Sequence, residues 1–124
     1  MWRYFNPNPA GRMVGDCSIR AVSAALDVSW DDAFDLLAHN AREMCDMPSS
    51  DAVWGSVLRQ HGFVRSIIPS SCPDCYTIGE FAEDFDKDIY VLGTGQHVAT
   101  VIDGVIYDSW DSSNEIPMFM WRRV

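Results

Sequence analysis

Basic side chains and long apolar runs are both scarce in this 124-residue chain. Lys and Arg together number 9 against 18 Asp and Glu, which gives a net charge of −9, and Lys87 is the only lysine. Nucleic acids and anionic membrane surfaces are bound through basic patches, so this charge balance excludes both as expected partners. No apolar stretch approaches the roughly 18 residues of a membrane span, and the first residues hold no apolar signal core. We therefore expect a cytoplasmic protein whose cysteines are reduced.

The length and composition predict a single globular domain over residues 1–124. Apolar residues make up 48% of the chain and charged residues 22%, and no repeat or low-complexity tract divides it. Residues 1–15 are predicted to form an extended arm or a loop, because proline, asparagine and glycine recur there. A chain of this size buries a core without disulfides or metal ions, so neither is required for folding.

The first half of the chain carries the apolar spacing of helices. A helix is predicted from Cys17 with Asp16 as its N-cap, and a second helix follows a cap at Ser29. A third helix opens within residues 49–51, and Thr77 begins the capping-box pattern of a short fourth helix. The expected inner stripe of the second helix comprises Trp30, Ala33, Phe34, Leu37 and Ala41.

Strand signals dominate the last third of the chain. The predicted strands are Phe63–Ile68, Ile89–Leu92, His97–Ile102, Val105–Trp110 and Ile116–Trp121, the last of them as an edge strand. Asp103-Gly104 between two of them is a strong signal for a tight hairpin turn. Helices first and antiparallel strands second predict an α+β fold, in which N-terminal helices pack on a C-terminal antiparallel sheet.

Cys17, His97 and Asp108 have the residue types of a nucleophile, a base and an acid that orients the base. In the first turn of its helix, Cys17 lies near free backbone N–H groups and the positive end of the helix dipole, and both favour the thiolate. With a two-residue turn at Asp103-Gly104, the alternation of side chains places His97 and Asp108 on one face, diagonal to each other. Asp111 is a rival third member, which the alternation puts on the opposite face.

Residues around these three are candidates for supporting roles. Trp110, opposite His97 in the predicted ladder, would shield the His97–Asp108 pair from water. Arg20 lies one turn after Cys17 and either pairs with Asp16 or Asp108 or is a surface residue. The backbone N–H of Cys17 would be one oxyanion donor. The candidates for the second donor, among which the sequence does not choose, are Gln96, Asn6 and Asn8.

The segment from Gly15 to Ala21, followed by residues 95–104 and 107–111, resembles the papain-like cysteine peptidase superfamily. The resemblance is strongest to its small bacterial and phage members, the bacteriocin-leader-peptidase-like and NlpC-like domains. It implies a helix that carries Cys17 packed on a sheet that carries His97 and Asp108. It also implies hydrolysis of a peptide or amide bond through an acyl-enzyme, a peptide or protein substrate, and no cofactor. Many members place a Gln shortly before the Cys for the oxyanion hole, and that position here is Gly11.

Other functions stay open at this point. The same three residues also support acyl or amide transfer to a different acceptor. The fold is equally compatible with a catalytically silent binding module, for example a phage-encoded protein that binds a host factor, and an acidic surface suits that role. Cys72 and Cys75 form a CxxC pair, which is half of the usual zinc site, but Cys45, His39 and His61 show no partner spacing. No metal is therefore expected for these functions, and a small zinc-stabilised adaptor that uses Cys72 and Cys75 is a third alternative. A monomer and a homodimer also remain alternatives.

Overall fold

The protein combines four helices and six strands within the part of the chain that the structure describes. The structure is a computed structural model and describes residues 1–68 and 76–124, so the CxxC pair at Cys72 and Cys75 lies outside the described residues. The elements in chain order are β1 (Trp2–Tyr4), α1 (Cys17–Leu26), α2 (Trp30–Met44), α3 (Asp51–Gln60), β2 (Phe63–Ile67), α4 (Ile78–Asp84), β3 (Ile89–Gly93), β4 (Val98–Ile102), β5 (Val105–Asp108) and β6 (Phe119–Arg123). Over these two ranges, no helix has the length and apolarity needed to cross a membrane.

The strands form one mixed sheet in the order β1-β5-β4-β3-β6-β2. The α+β class is confirmed, but the expectation of a purely antiparallel sheet is wrong, because β1 runs parallel to β5. Trp2 pairs with Ile106 and Tyr4 pairs with Asp108, so part of the predicted arm is a strand. The outer edge of β5 offers backbone groups that β1 satisfies, and no local pattern in residues 2–4 indicates that long-range pairing.

The last strand lies inside the sheet and not at its edge. β6 pairs with β3 on one side and with β2 on the other, so the edge position predicted for Ile116–Trp121 is wrong. The strand also begins later than predicted, at Phe119. Phe119 and Trp121 face the first three helices while Met120 faces the opposite side, so β6 serves both halves of the core. The edge position belongs to β2.

Apolar side chains pack on both faces of the sheet. α1, α2 and α3 cover one face and α4 covers the other, and successive residues of β3 show the division. Val91 belongs to the cluster with the first three helices and Leu92 to the cluster with α4. On the face of the first three helices, the buried Thr100 hydroxyl donates to the carbonyl of Ala21 at 2.8 Å. This bond and the surrounding packing hold α1 over β4.

Capping side chains hold the starts of two of the four described helices. Ser29 accepts the N–H of Asp32 at 3.0 Å, and Thr77 with Glu80 forms a capping box, both as predicted. Asp16 is the N-cap residue of α1, as predicted, but its side chain forms no capping hydrogen bond. That carboxylate is instead engaged by two other side chains, which belong to the site described below.

The inner stripe of α2 is narrower than predicted. Ala33, Leu37 and Ala41 are buried at successive steps of four residues. Phe34 is 42% exposed, because the next residue along a helix lies ~100° around the axis and falls outside so narrow a stripe. Its ring stacks on Trp30, with 5.3 Å between the ring centroids.

Candidate functional site

Cys17 is the first residue of α1, as the sequence predicted. Its side chain is partly buried and packs against the core on the helical face of the sheet. At the first position of a helix the backbone N–H has no partner within the helix, and the helix dipole is positive at this end. The thiol therefore stands where backbone groups favour negative charge.

The β4–β5 hairpin brings His97 and Asp108 together. The register around the Asp103-Gly104 turn is the predicted one, with Ile102 paired to Val105 and Thr100 to Tyr107. β4 begins at Val98, so His97 immediately precedes the strand. Nε2 of His97 donates to Oδ2 of Asp108 at 2.6 Å, and both side chains are buried.

The His97 ring lies close enough to the Cys17 thiol for each group to shift the pKa of the other. Because Nε2 is engaged by Asp108, Nδ1 is the ring nitrogen left for the sulfur. The backbone N–H of Val98 also lowers the pKa of this thiol. His97 thus stands between the Cys17 thiol at the start of α1 and the Asp108 carboxylate at the end of β5, and it is hydrogen-bonded to the carboxylate.

The electrostatics of this arrangement favour an ion pair of thiolate and imidazolium. Burial raises the pKa of Cys17, but the hydrogen bond and charge of His97, the Val98 N–H and the charge of Arg20 outweigh burial, so the pKa is lowered. Burial lowers the pKa of His97, but hydrogen bonds and charge from Asp108 and Cys17 raise it to about 9. A thiol with a low pKa beside an imidazole with a high pKa is the condition for proton transfer from sulfur to nitrogen.

Asp108 is fully buried, and four hydrogen bonds reach its carboxylate. Besides His97, the donors are Nε of Arg20 at 3.0 Å, the Ser112 hydroxyl at 2.7 Å and the backbone N–H of Ser109 at 2.8 Å. Burial raises the pKa of Asp108, but the bonds from His97 and Ser112 and the charges of His97 and Arg20 hold it below its ordinary value. Asp108 is therefore a fixed anion that sets the orientation of the imidazole.

Arg20 connects the start of α1 to the end of β5. Its Nη1 donates to Asp16 at 2.7 Å while its Nε donates to Asp108, and all three side chains are at most 5% exposed. Of the alternatives left open by the sequence, the structure therefore shows pairing with both acids. Asp16 also accepts the indole N–H of Trp30 at 2.9 Å.

Of the remaining predicted site residues, Trp110 and Gln96 lie beside His97, whereas Asn6 and Asn8 belong to the N-terminal arm. Trp110 lies against His97, with 4.7 Å between the ring centroids, and its own ring is 41% exposed, so it covers one side of the imidazole. Gln96 is exposed immediately before His97. Asn6 donates to the Arg12 carbonyl, and the Asn8 carboxamide accepts the backbone N–H groups of residues 10 and 12, so both shape the arm. Asp111, the rival third member, is exposed and accepts the N–H of Ser113.

Four residues that contribute to the site were missed by the sequence analysis. The Ser112 hydroxyl binds the Asp108 carboxylate, and its only sequence signal was its place in a polar turn after β5. Trp2 donates its indole N–H to the Asp108 carbonyl at 3.1 Å, and the Phe5 N–H donates to the same oxygen at 2.8 Å. Trp30 had been assigned only to the core. Each of these contacts spans a turn or a long sequence separation, so local patterns do not reveal them.

The described residues hold no metal centre. Among residues 1–68 and 76–124, no group of three or more His, Cys, Asp and Glu side chains is placed to bind a metal ion. The CxxC pair at Cys72 and Cys75 lies between these two ranges, and the described part of the chain does not bear on it.

Known proteins provide no independent assignment. Comparison of the chain with protein-family models, with curated proteins and with solved structures gave no significant match in any of the three. The function is therefore argued from the chemistry of this site, because a fold class by itself hosts many functions.

Proposed function

We propose that this protein catalyses acyl transfer from a peptide or amide substrate through Cys17, in its simplest form hydrolysis. The observation that carries the proposal is the buried His97–Asp108 hydrogen bond beside the Cys17 thiol, whose pKa His97 lowers. Nucleophile, base and orienting group follow one another in that order, which is the arrangement that covalent catalysis by a thiol needs.

The proposed reaction has two halves. The Cys17 thiolate attacks the substrate carbonyl carbon, and the His97 imidazolium gives its Nδ1 proton to the leaving amine as the C–N bond breaks. A thioester of Cys17 remains. His97, now neutral, takes a proton from a water molecule that attacks the thioester, and the released thiolate recovers its imidazolium partner. Asp108 stays ionised throughout and stabilises the imidazolium of each half-reaction.

The oxyanion of the tetrahedral intermediate needs donors on the side of the sulfur. The backbone N–H of Cys17 is one, since it has no acceptor within α1. For the second we favour the carboxamide of Gln96, because Asn6 and Asn8 use theirs within the arm. An open groove of about 540 Å³ beside Gln96 gives a substrate chain room on that side of His97.

The fold we propose is papain-like, in keeping with the resemblance of the segments around Cys17, His97 and Asp108. Its support is the chain order, in which a helix that begins at the cysteine precedes the strands that position the histidine and the acid. The proposed chemistry requires a reduced thiol, so the proposal includes a reducing compartment such as the cytoplasm.

The decisive experiment is the rate of alkylation of each cysteine by iodoacetamide between pH 4 and 9, read by mass spectrometry. At pH 5.5 an ordinary thiol with a pKa of about 8.5 is only about 0.1% thiolate, so fast labelling of Cys17 there requires the ion pair. We expect fast labelling that is lost in His97→Ala and kept in the matched variant His39→Ala, which removes an exposed histidine of α2. Exposed Cys45 reports general access of the reagent.

The same proteins and reagents distinguish two other functions from hydrolysis. A catalytically silent binding module, which the net charge of −9 favours, predicts that Cys17 labels no faster at pH 5.5 than Cys45 does. That result would overturn the enzyme proposal. An acyl or amide transferase predicts fast labelling, together with a product that carries an added amine such as glycinamide in place of water.

A further inference from the structure

A second cavity lies away from Cys17, between α3 and the β2–β6 edge of the sheet. Its volume is about 170 Å³, and its lining consists of Asp51, Ala52, Gly55, Arg59, Arg65, Phe119 and Trp121. None of these residues belongs to the thiol site. In the sheet, β6 is separated from β4 by β3, so the cavity lies on different strands from the β4–β5 hairpin.

Two arginines at this cavity are held by aromatic rings. The Arg59 guanidinium carbon lies 5.2 Å from the centroid of the Trp121 ring, and that of Arg65 lies 4.4 Å from the Phe119 centroid. Within residues 1–68 and 76–124, neither guanidinium forms an ion pair. A guanidinium stacked by its face keeps its N–H donors, which lie in its plane, available for an acceptor.

The charge of the lining is unusual for this chain. Arg59 and Arg65 contribute two positive charges and Asp51 one negative charge, which leaves the lining at +1 in a chain of −9. Asp51 already accepts the indole N–H of Trp54 at 3.0 Å, so its carboxylate has a buried donor of its own. An anion in this cavity would therefore meet donors that lack an acidic partner.

An independent sign of a ligand is the indole of Trp121. This side chain is 3% exposed, and its Nε1 is a buried donor without a hydrogen-bond partner in the described structure. Such groups are rare, because burying an unpaired N–H costs roughly 1–3 kcal/mol. The ring edge that includes Cζ2 rests on Gly55, where a Cβ would lie 2.7 Å from Cζ2. Gly55 and Trp121 both line the cavity, so the side chain that carries the unpartnered donor forms part of its wall.

We infer that this cavity binds a small oxyanion, a carboxylate or a phosphate, between Arg59, Arg65 and the indole N–H of Trp121. Two guanidinium groups and one N–H match the lone pairs of such an anion. A cavity of about 150 Å³ holds a benzene molecule, so this one accepts a single anionic group. The site is independent of the chemistry proposed for Cys17.

The test is nuclear magnetic resonance of the indole N–H groups. The chain has five tryptophans, and the Trp121 signal is assigned by its loss in Trp121→Phe. Sodium acetate and sodium phosphate are titrated separately at an ionic strength held constant with sodium chloride. We expect the Trp121 signal to shift saturably with at least one of the two anions, and the comparison shows which class the site takes.

Variants test whether the anion binds in this cavity. Arg59→Gln and Arg65→Gln should each weaken binding about tenfold or more, since each removes a charge-assisted hydrogen bond. Arg42→Gln, which removes an exposed arginine near the end of α2, should leave binding unchanged. The other indole signals report that each variant remains folded. A Trp121 signal that does not move with either anion, or moves equally in all variants, would overturn the inference.

Discussion

Replacing Arg20 by methionine should destabilise the protein far more than removal of any exposed arginine. Arg20 is 4% exposed and is the cation between two buried carboxylates, Asp16 and Asp108. Methionine retains much of the apolar stem but leaves both carboxylates without this partner. Asp108 keeps three donors, His97 among them, whereas Asp16 keeps only the Trp30 indole in the described contacts.

The expected loss follows from the cost of an unpaired buried charge. Breaking a buried ion pair by removing one partner costs about 3–5 kcal/mol, a large share of the 5–15 kcal/mol that holds a typical domain folded. The double variant Asp16→Asn/Arg20→Met removes one of the two unpaired charges and should recover part of the loss. It also keeps the test informative if the single variant fails to fold.

The loss should depend on pH. Burial raises the pKa of Asp108, hydrogen bonds from His97 and Ser112 lower it, and the charge of Arg20 lowers it further. A depressed carboxyl pKa contributes stability that is present above the unfolded value and disappears as the pH falls through the folded value. Because Arg20→Met makes the depression smaller, the gap in stability between wild type and variant should narrow from pH 7 towards pH 3.

Urea unfolding followed by tryptophan fluorescence measures this directly. At a slope of about 2 kcal/mol/M, the midpoint at pH 7 should fall by roughly 2 M in Arg20→Met. Arg42→Met, at the exposed end of α2, is the control and should change the free energy of unfolding by less than about 1 kcal/mol. A loss below 1 kcal/mol in Arg20→Met, or one that stays constant with pH, would show that Arg20 does not hold the two carboxylates together.

Two further outcomes are expected. The His97 ring should titrate near pH 9 by nuclear magnetic resonance, and its pKa should fall in Cys17→Ser. Because the folded pKa of His97 is raised above the unfolded value, the protonated ring stabilises the protein below about pH 6.5, and this stabilisation is lost as the pH rises through about 9. An ordinary His97 titration near 6.5 would contradict the ion pair. Gly93→Ala should cost about 1–3 kcal/mol, because its Cβ would overlap the ring of the buried Phe119. Thermal melting measures this loss, and Gly15→Ala, with open space around it, is the matched control.

The contact between His97 and Asp108 could be predicted because few steps separate it from the sequence. Asp103-Gly104 specifies a two-residue turn, the turn fixes the register, and strict alternation then places the side chains. The start of α1 at Cys17 could likewise be predicted from neighbouring residues alone. By contrast, nothing local relates Cys17 to His97, and that contact was expected only from the residue types and from resemblance.

The supporting contacts were harder to predict because their partners are distant in sequence. Arg20 and Asp108 are 88 residues apart, and Trp2 and Asp108 are 106 apart. Arg20 had two acidic candidates, and the sequence could not indicate that one guanidinium reaches both. β1 was missed for the same reason, since three exposed residues become a strand only where β5 supplies an edge.

The sequence by itself determined the α+β class, the main helices, the hairpin register and the residues of the candidate nucleophile and its base. These depend on apolar period, caps and turn chemistry, which act over a few residues. Tertiary structure decided the strand order, the burial of Asp108, and the bridge that Arg20 makes between α1 and β5. It also decided the cavity at Trp121. Those features depend on which distant surfaces meet, and burial by such surfaces makes each unpaired charge costly and shifts each pKa.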